Sequence, residues 1–162
     1  MLNLVSANLR LQPYDSPDAR RLDAMVQAEY HRRYGGGDDT VLTAEDFVPP
    51  SGAYFLAYDG DNPVASGGWR SHGESDAEMK RLYVVDAARG RGLARAMVAK
   101  LEEDAAAAGR ARMILETGTE QPEALALYAS LGYVPVEPFG VYANEEGARH
   151  LGKELNGRPV SQ

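Results

Sequence analysis

The chain has no cysteine among its 162 residues. That absence excludes a thiol nucleophile, a disulfide framework and a thiolate metal site, and it fits a reducing compartment such as the cytoplasm. Histidine is scarce as well: His31, His72 and His150 stand far apart, without the paired spacing of a metal motif, so no metal is expected. No apolar stretch approaches the roughly 20 residues that span a bilayer, and residues 1–6 lack the charged start and long apolar centre of a secretion signal. A soluble cytoplasmic protein without a membrane partner is expected. Basic residues are outnumbered, 17 Lys and Arg against 24 Asp and Glu for a net charge of -7. The broad basic face of a nucleic-acid binder is therefore missing. No Pro/Gly/Ser-rich linker divides the chain, which predicts a single domain over 1–155 and a mobile tail at 156–162.

Against this acidic background one short stretch is basic. Between 87 and 101 stand Arg89, Arg91, Arg95 and Lys100 and no acid, and Glu102-Glu103-Asp104 follows at once. Residues 78–85 include β-branched and large apolar types in a short run, Asp86-Ala87-Ala88 reads as a turn, and Gly90 and Gly92 let backbone amides approach a ligand. Beyond Gly92, Ala94, Met97, Val98, Leu101 and Ala105 recur at helical spacing, so the amides of 90–94 form the open N-terminus of a helix. Such an end binds phosphate. Arginines are disfavoured there by the helix dipole, and their presence makes sense if an anion sits among them. The spot suits a small polyphosphate.

The order of elements is legible. Leu9 and Leu11 mark a first strand, and Ser16-Pro17 starts a helix. Leu22, Met25, Val26, Glu29, Tyr30 and Arg33 lie along one side of it, and it ends before Gly35-Gly36-Gly37. Residues 43–46 form a capped turn stopped by Pro49-Pro50. Runs 53–59 and 64–70 make a hairpin about Gly60-Asp61-Asn62-Pro63. Then come strand 78–85, helix 92–108, strand 112–117, helix 122–131, strand 133–136 and a last strand near 150–155. This predicts an α/β or α+β domain with one mixed sheet, helices on both faces, and 78–85 parallel to 112–117 through a right-handed crossover. A dinucleotide fold is poorly matched, because Arg95 replaces the third glycine, and the Gly-Lys-Ser/Thr of a P-loop is absent.

Arg89-Gly90-Arg91-Gly92-Leu93-Ala94 satisfies Q/R-x-x-G-x-G/A, and Leu127-Tyr128-Ala129-Ser130-Leu131-Gly132-Tyr133 satisfies a Leu-Tyr, spacer, Gly-aromatic pattern. On these motifs the chain resembles the GNAT acyltransferases, which move an acetyl group from acetyl-CoA to an amine. The motif resemblance covers 53–155; the first fifty residues agree only in pattern. It implies the GNAT fold, a mostly antiparallel mixed sheet whose fourth and fifth strands splay apart, with acetyl-CoA as acyl donor. It implies that the pantetheine arm bonds the backbone of Leu82, Tyr83, Val84 and Val85, one of whose amides also stabilises the oxyanion. The pyrophosphate would lie on the amides of Arg89, Gly90, Arg91, Gly92, Leu93 and Ala94, with Arg95 adding charge. Gln121 stands where many members have an Asn that touches the CoA arm. Tyr128 has the position of the acid that protonates the CoA thiolate. From helix spacing alone it reads as a core tyrosine packed with Ala124 and Leu131.

The resemblance also implies a carboxylate base at the start of the fourth strand, where Glu78 stands; a glutamate salt-bridged to Arg70 or Arg81, with water as base, is the alternative. The acceptor wall is expected to comprise Glu29, Tyr30, Arg33 and Tyr34 on the first helix, Trp69 and Arg70 on the third strand and Arg81 on the fourth, with Tyr142 at the mouth. Arg70 and Arg81 can grip an acceptor carboxylate, or can pair with Glu29 and Glu78 to brace the sheet. The expected function is acetyl transfer to a small primary amine that can bear a carboxylate. A non-catalytic acyl-CoA-binding module and a protein or peptide N-acetyltransferase remain open, and a homodimer is compatible with the sequence.

Overall fold

In the computed structural model, residues 8–155 are described; the tail expected at 156–162 lies outside the described residues. The first helix starts where the sequence predicts. Ser16 Oγ accepts the Ala19 amide at 3.3 Å and Pro17 supplies a helical φ, opening α1 (Pro17–Tyr34). Gly35, at φ 79°, returns its amide to the His31 carbonyl and ends the helix. Ala19, Leu22 and Val26 form the sheet-facing stripe, and Met25, expected beside them, turns outward at 38% exposed.

The strands are β1 (Leu9–Leu11), β2 (Gly52–Asp59), β3 (Asn62–His72), β4 (Asp76–Val84), β5 (Arg112–Gly118), β6 (Val134–Pro135) and β7 (Ala148–Glu154). They join in one sheet of order β1-β2-β3-β4-β5-β7-β6, antiparallel except for β4 against β5. The connector of the β2–β3 hairpin is only Gly60-Asp61, shorter than expected, because Asn62 already pairs with Asp59. Between β4 and β5 runs α2 (Leu93–Ala107), and α3 (Pro122–Ser130) follows β5.

Each sheet face has its own core. Met97, Val98 and Leu101 of α2 pack with Phe55, Trp69 and Met113, while Ala19 and Leu22 of α1 pack with Phe47, Tyr54, Leu56 and Tyr58 on the other face. Each fully buried large side chain contributes about 1.5–3 kcal/mol. The Trp69 indole donates to Asp104 of α2 at 2.8 Å, which satisfies its one polar atom inside the core.

Two irregularities open the sheet. The β3–β4 register shifts between Ser66 and Gly68, and opposite it Arg81 adopts φ 60°, the one positive value outside glycine among the described residues. This bulge breaks the alternation of faces, so consecutive Lys80 and Arg81 both reach Asp38. The parallel pairing of β4 with β5 covers only Asp76↔Arg112, Ala77↔Met113 and Glu78↔Ile114. Beyond it β4 continues to Val84 and β5 to Gly118 without pairing each other, leaving a wedge between them.

Candidate active site

The wedge opens into a cavity of about 900 Å³. One end is built by the N-terminus of α2. Gly92, at φ 82° and ψ 13°, occupies the cap with no side-chain hydrogen bond and no acid in the first turn, and Ala96 is the first residue to bond back, to the Gly92 carbonyl at 3.0 Å. The amides of Leu93, Ala94 and Arg95 therefore have no intrahelical partner. Arg89, Gly90, Gly92, Leu93, Ala94 and Arg95 line this end, and Leu82, Tyr83 and Val84 line the adjoining β4 edge. Arg89 is held by Asp86 at 2.7 Å and by the Val84 carbonyl at 3.0 Å, and Arg95 by Ser130 Oγ at 2.7 Å. Two residues expected here stand elsewhere. The Val85 amide is spent on the Val64 carbonyl at 3.0 Å, and Arg91 points to solvent; neither lines the cavity. Gln121 lines it, with its side-chain amide donating to Tyr34 Oη at 3.0 Å. Tyr34 reaches that position because residue 118 is glycine: a Cβ there would overlap the Tyr34 hydroxyl.

Tyr128 lies at the middle of the wall, 7% exposed, with its ring edge-on to Tyr133 at 5.7 Å. Among the described residues its hydroxyl has no hydrogen-bond partner. Burial first, then the nearby Tyr30, pushes it up, so the phenol holds its proton.

At the other end Glu29, Tyr30, Arg33, Tyr34, Arg81 and Tyr142 line the cavity, as the sequence suggested. Glu29 accepts from Arg33 at 2.8 Å and from Arg32; burial works against its ionisation, but these hydrogen bonds hold its carboxyl below the usual range. Arg33 also pairs with Glu123 at 2.6 Å. Trp69 is not part of this wall. Adjacent strand residues face opposite ways, and its side chain is sunk against α2. Arg70 points to the α1 side but stops short of the cavity, bound to Glu78 at 3.1 Å, Asp46 at 3.2 Å and the Val41 carbonyl at 3.0 Å. Glu78 is likewise set behind the wall, 3% exposed, engaged by Arg70 and 3.7 Å from His72 Nδ1. Glu78, expected as the base, therefore does not line the cavity. Arg81 does line the cavity, yet its Nε meets Asp23 and its Nη1 meets Asp38, each at 2.7 Å, so its charge is satisfied within the protein.

Among the acids that line the cavity is Glu116 of β5, which sequence reasoning missed. Its side chain is 10% exposed, with Lys80 Nζ 3.8 Å from Oε1 and His150 Nε2 3.4 Å from Oε2. Burial, reinforced by Glu78 and Asp38 and opposed by Lys80 and Arg70, pushes it up to about 7. Lys80 is the strongest opposing influence but does not outweigh burial, and it stands closer to Asp38, at 3.0 Å. Between Lys80, Arg81 and the Thr40 amide, Asp38 itself is held down to about 2 although burial opposes this. The available signal was an acid inside the apolar run Met113-Ile114-Leu115-Glu116, on the strand expected to splay. Among the described residues there is no group of three potential metal ligands, and no helix is long and apolar enough to cross a membrane.

Residues 19–133 match the acetyltransferase (GNAT) family. An uncharacterised N-acetyltransferase of Escherichia coli K12, YjgM, is 33% identical over 141 residues, covering 79% of this chain and 81% of that protein. An IAA acetyltransferase of Azospirillum brasilense is 36% identical over 78 residues, 48% of this chain, and the chain spans about half the length of that relative, 51%. A Klebsiella pneumoniae structure assigned to the acyl-CoA N-acyltransferases superposes with a TM-score of 0.78 at 24% identity, covering 91% of this chain and 96% of that one. An aminoglycoside 6′-N-acetyltransferase complexed with coenzyme A gives 0.67 at 17% identity, covering 93% and 98%. These two likenesses show the fold. Since the family match takes in the α2 turn, both diverging strands and Tyr128, the chain belongs to the GNAT family of acetyltransferases.

Proposed function

We propose that this protein transfers the acetyl group of acetyl-CoA to a primary amine of a small molecule that carries additional positive charge. The observation that carries the reading is the convergence of three things on one cavity: the open amides of Leu93 to Arg95, the free Tyr128 hydroxyl, and the Glu116 carboxyl. Amides at a helix N-terminus suit the pyrophosphate of CoA, and the unpaired β4 edge suits the pantetheine amides. Glu116 takes a proton from the acceptor ammonium, and the freed lone pair forms the C–N bond at the thioester carbon. As the C–S bond breaks, Tyr128 gives its proton to the thiolate, while the nitrogen loses its second proton to solvent water, which in turn reprotonates Tyr128 and leaves a neutral amide. A group near neutrality serves as base at physiological pH, which favours Glu116.

The acceptor class follows from charge. The arginines that suggested a carboxylate-bearing acceptor, Arg70 and Arg81, are both taken by carboxylates of the chain, which removes the motive for that expectation. Seven acids line the cavity, Glu29, Asp38, Asp39, Glu116, Glu120, Glu123 and Glu145, against five bases, Arg33, Lys80, Arg81, Arg89 and Arg95. Among the described residues, Asp39, Glu120 and Glu145 form no ion pair, so an added cation meets attraction and an added anion repulsion.

The test is thiol release from acetyl-CoA with three amines of one chain length: 1,4-diaminobutane, butylamine and 4-aminobutanoate. The expected order of kcat/KM is the diamine first and the amino acid last, by about tenfold or more between them. Equal or better use of 4-aminobutanoate contradicts the acceptor class. Acetyl-CoA binding by calorimetry with no turnover of any amine identifies a non-catalytic binding module instead.

A further inference from the structure

Glu116 and His150 stand directly opposite each other in the β5–β7 ladder, so both side chains leave the sheet on the same face. Their nearest atoms, Oε2 and Nε2, are 3.4 Å apart and buried, and neither has a hydrogen-bond partner among the described residues. Burial lowers the proton affinity of the His150 ring, and the backbone at Phe139 opposes this. With Nε2 unpartnered, neutral His150 protonated on Nδ1 presents a bare lone pair to the carboxylate. Two buried acceptors facing each other lack one proton. Phe139 closes the outer side, its ring 5.0 Å from His150 and 5.3 Å from His72.

The surrounding charges leave this pair as the place where a proton is held. From β4, Lys80 lies 3.8 Å from Glu116 but is closer to Asp38, which follows α1 and also holds Arg81. Glu78, also on β4, is engaged by Arg70 of β3, which Asp46 shares, and is approached by His72. No full cation is left over for Glu116.

We propose that Glu116 and His150 take up the proton of the acceptor ammonium as one unit, with His150 a positioning residue that sets the proton affinity of the base. This rests on the reading of Glu116 as base given above. The ammonium N–H breaks as an O–H bond forms on the cavity-facing Oε1. The last glutamate torsion is broad and two-fold, so a half-turn brings that hydroxyl to face Nε2, where it donates to the waiting lone pair. The reverse turn returns the proton to solvent after product leaves.

Histidine ¹⁵N and glutamate carboxyl ¹³C spectra of the full protein, titrated without substrates, test the pair apart from catalysis. The expected result is one shared midpoint near about 7, with His150 as the Nδ1–H tautomer, and loss of that midpoint from the His150 signal in Glu116→Gln. A His150 signal that is flat through this range, or that titrates unchanged in Glu116→Gln, overturns the proposal. In His150→Gln, whose amide can donate to Oε2 and favour the carboxylate, the acid limb of kcat/KM should move down by about one pH unit, the worth of one hydrogen bond. An unmoved limb in a folded variant also overturns it. If the spectra show the shared midpoint and no amine is acetylated, the functional reading fails and the pair stands.

Discussion

Glu116 is a carboxyl that the fold prefers to keep protonated, and that preference has a thermodynamic signature. Its ordinary value of 4.5 is raised to about 7, so the folded state holds this proton more tightly than the unfolded chain. The associated stability is fully present below about 4.5 and is lost as pH rises through about 7. Glu116→Gln removes the titration, and its stability relative to the native protein should rise between about pH 4 and pH 8 by on the order of 3 kcal/mol. Chemical denaturation at the two pH values checks this, and a gap that stays constant contradicts it. Arg81 is the opposite case, a buried charge whose neighbours already neutralise it. Replacing it with methionine leaves Asp23 and Asp38 facing the interior without their guanidinium, and should cost about 3–5 kcal/mol. A thermal shift within a degree or two of the native protein would show that the bulge does not need this clamp.

At the scale of elements, strand β4 and helix α2 do most of the positioning. The bulge at Arg81 turns two consecutive side chains toward α1, and the lost pairing beyond Glu78 frees the β4 edge. Gly92 then turns the chain through a left-handed conformation that exposes the amides of the next turn. Gly92→Val meets both a strained φ and a methyl group beside those amides, so acetyl-CoA affinity should fall by tenfold or more, about 1.4 kcal/mol. Calorimetry on the folded variant checks it, and unchanged affinity would move the pyrophosphate off this turn. Most of these elements were legible because their signals are local. Ser16-Pro17, Gly35, Gly92 and the alternation of apolar residues each act within a few positions. The bulge was not legible, since it depends on a buried Arg81 finding Asp23 and Asp38 from sequence distances of 58 and 43 residues. Strand alternation by itself would have separated Trp69 from Arg70, which the expected wall put side by side.

For the whole molecule, the net charge of -7 is distributed with purpose around the cavity. Arg89 and Arg95 stand at the α2 end, while Glu29, Asp38 and Glu116 stand with Lys80 and Arg33 away from it. An acidic chain can thus hold a polyphosphate donor and a cationic acceptor at opposite ends of one cleft, with added salt weakening both. The sequence motifs pointed to the α2 turn, because the amides proposed to bind the donor belong to a contiguous stretch. The acceptor half was less legible, because it is assembled from α1, β4, β5 and the segment before β7. There Glu116 is decided by burial, and burial is a property of the finished fold.

The central claim is that Glu116 and Tyr128 act on one amine acetylation from opposite sides of the transferred acyl group. It is tested most directly by kcat/KM for 1,4-diaminobutane, measured beside the acetyl-CoA Kd, in Glu116→Gln and Tyr128→Phe. Each variant should lose about 10² to 10⁴ in kcat/KM, the range for removing a general base or acid, while the acetyl-CoA Kd changes by less than about threefold. Near-native turnover in either variant, or a loss of acetyl-CoA affinity as large as the loss of turnover, would contradict that assignment.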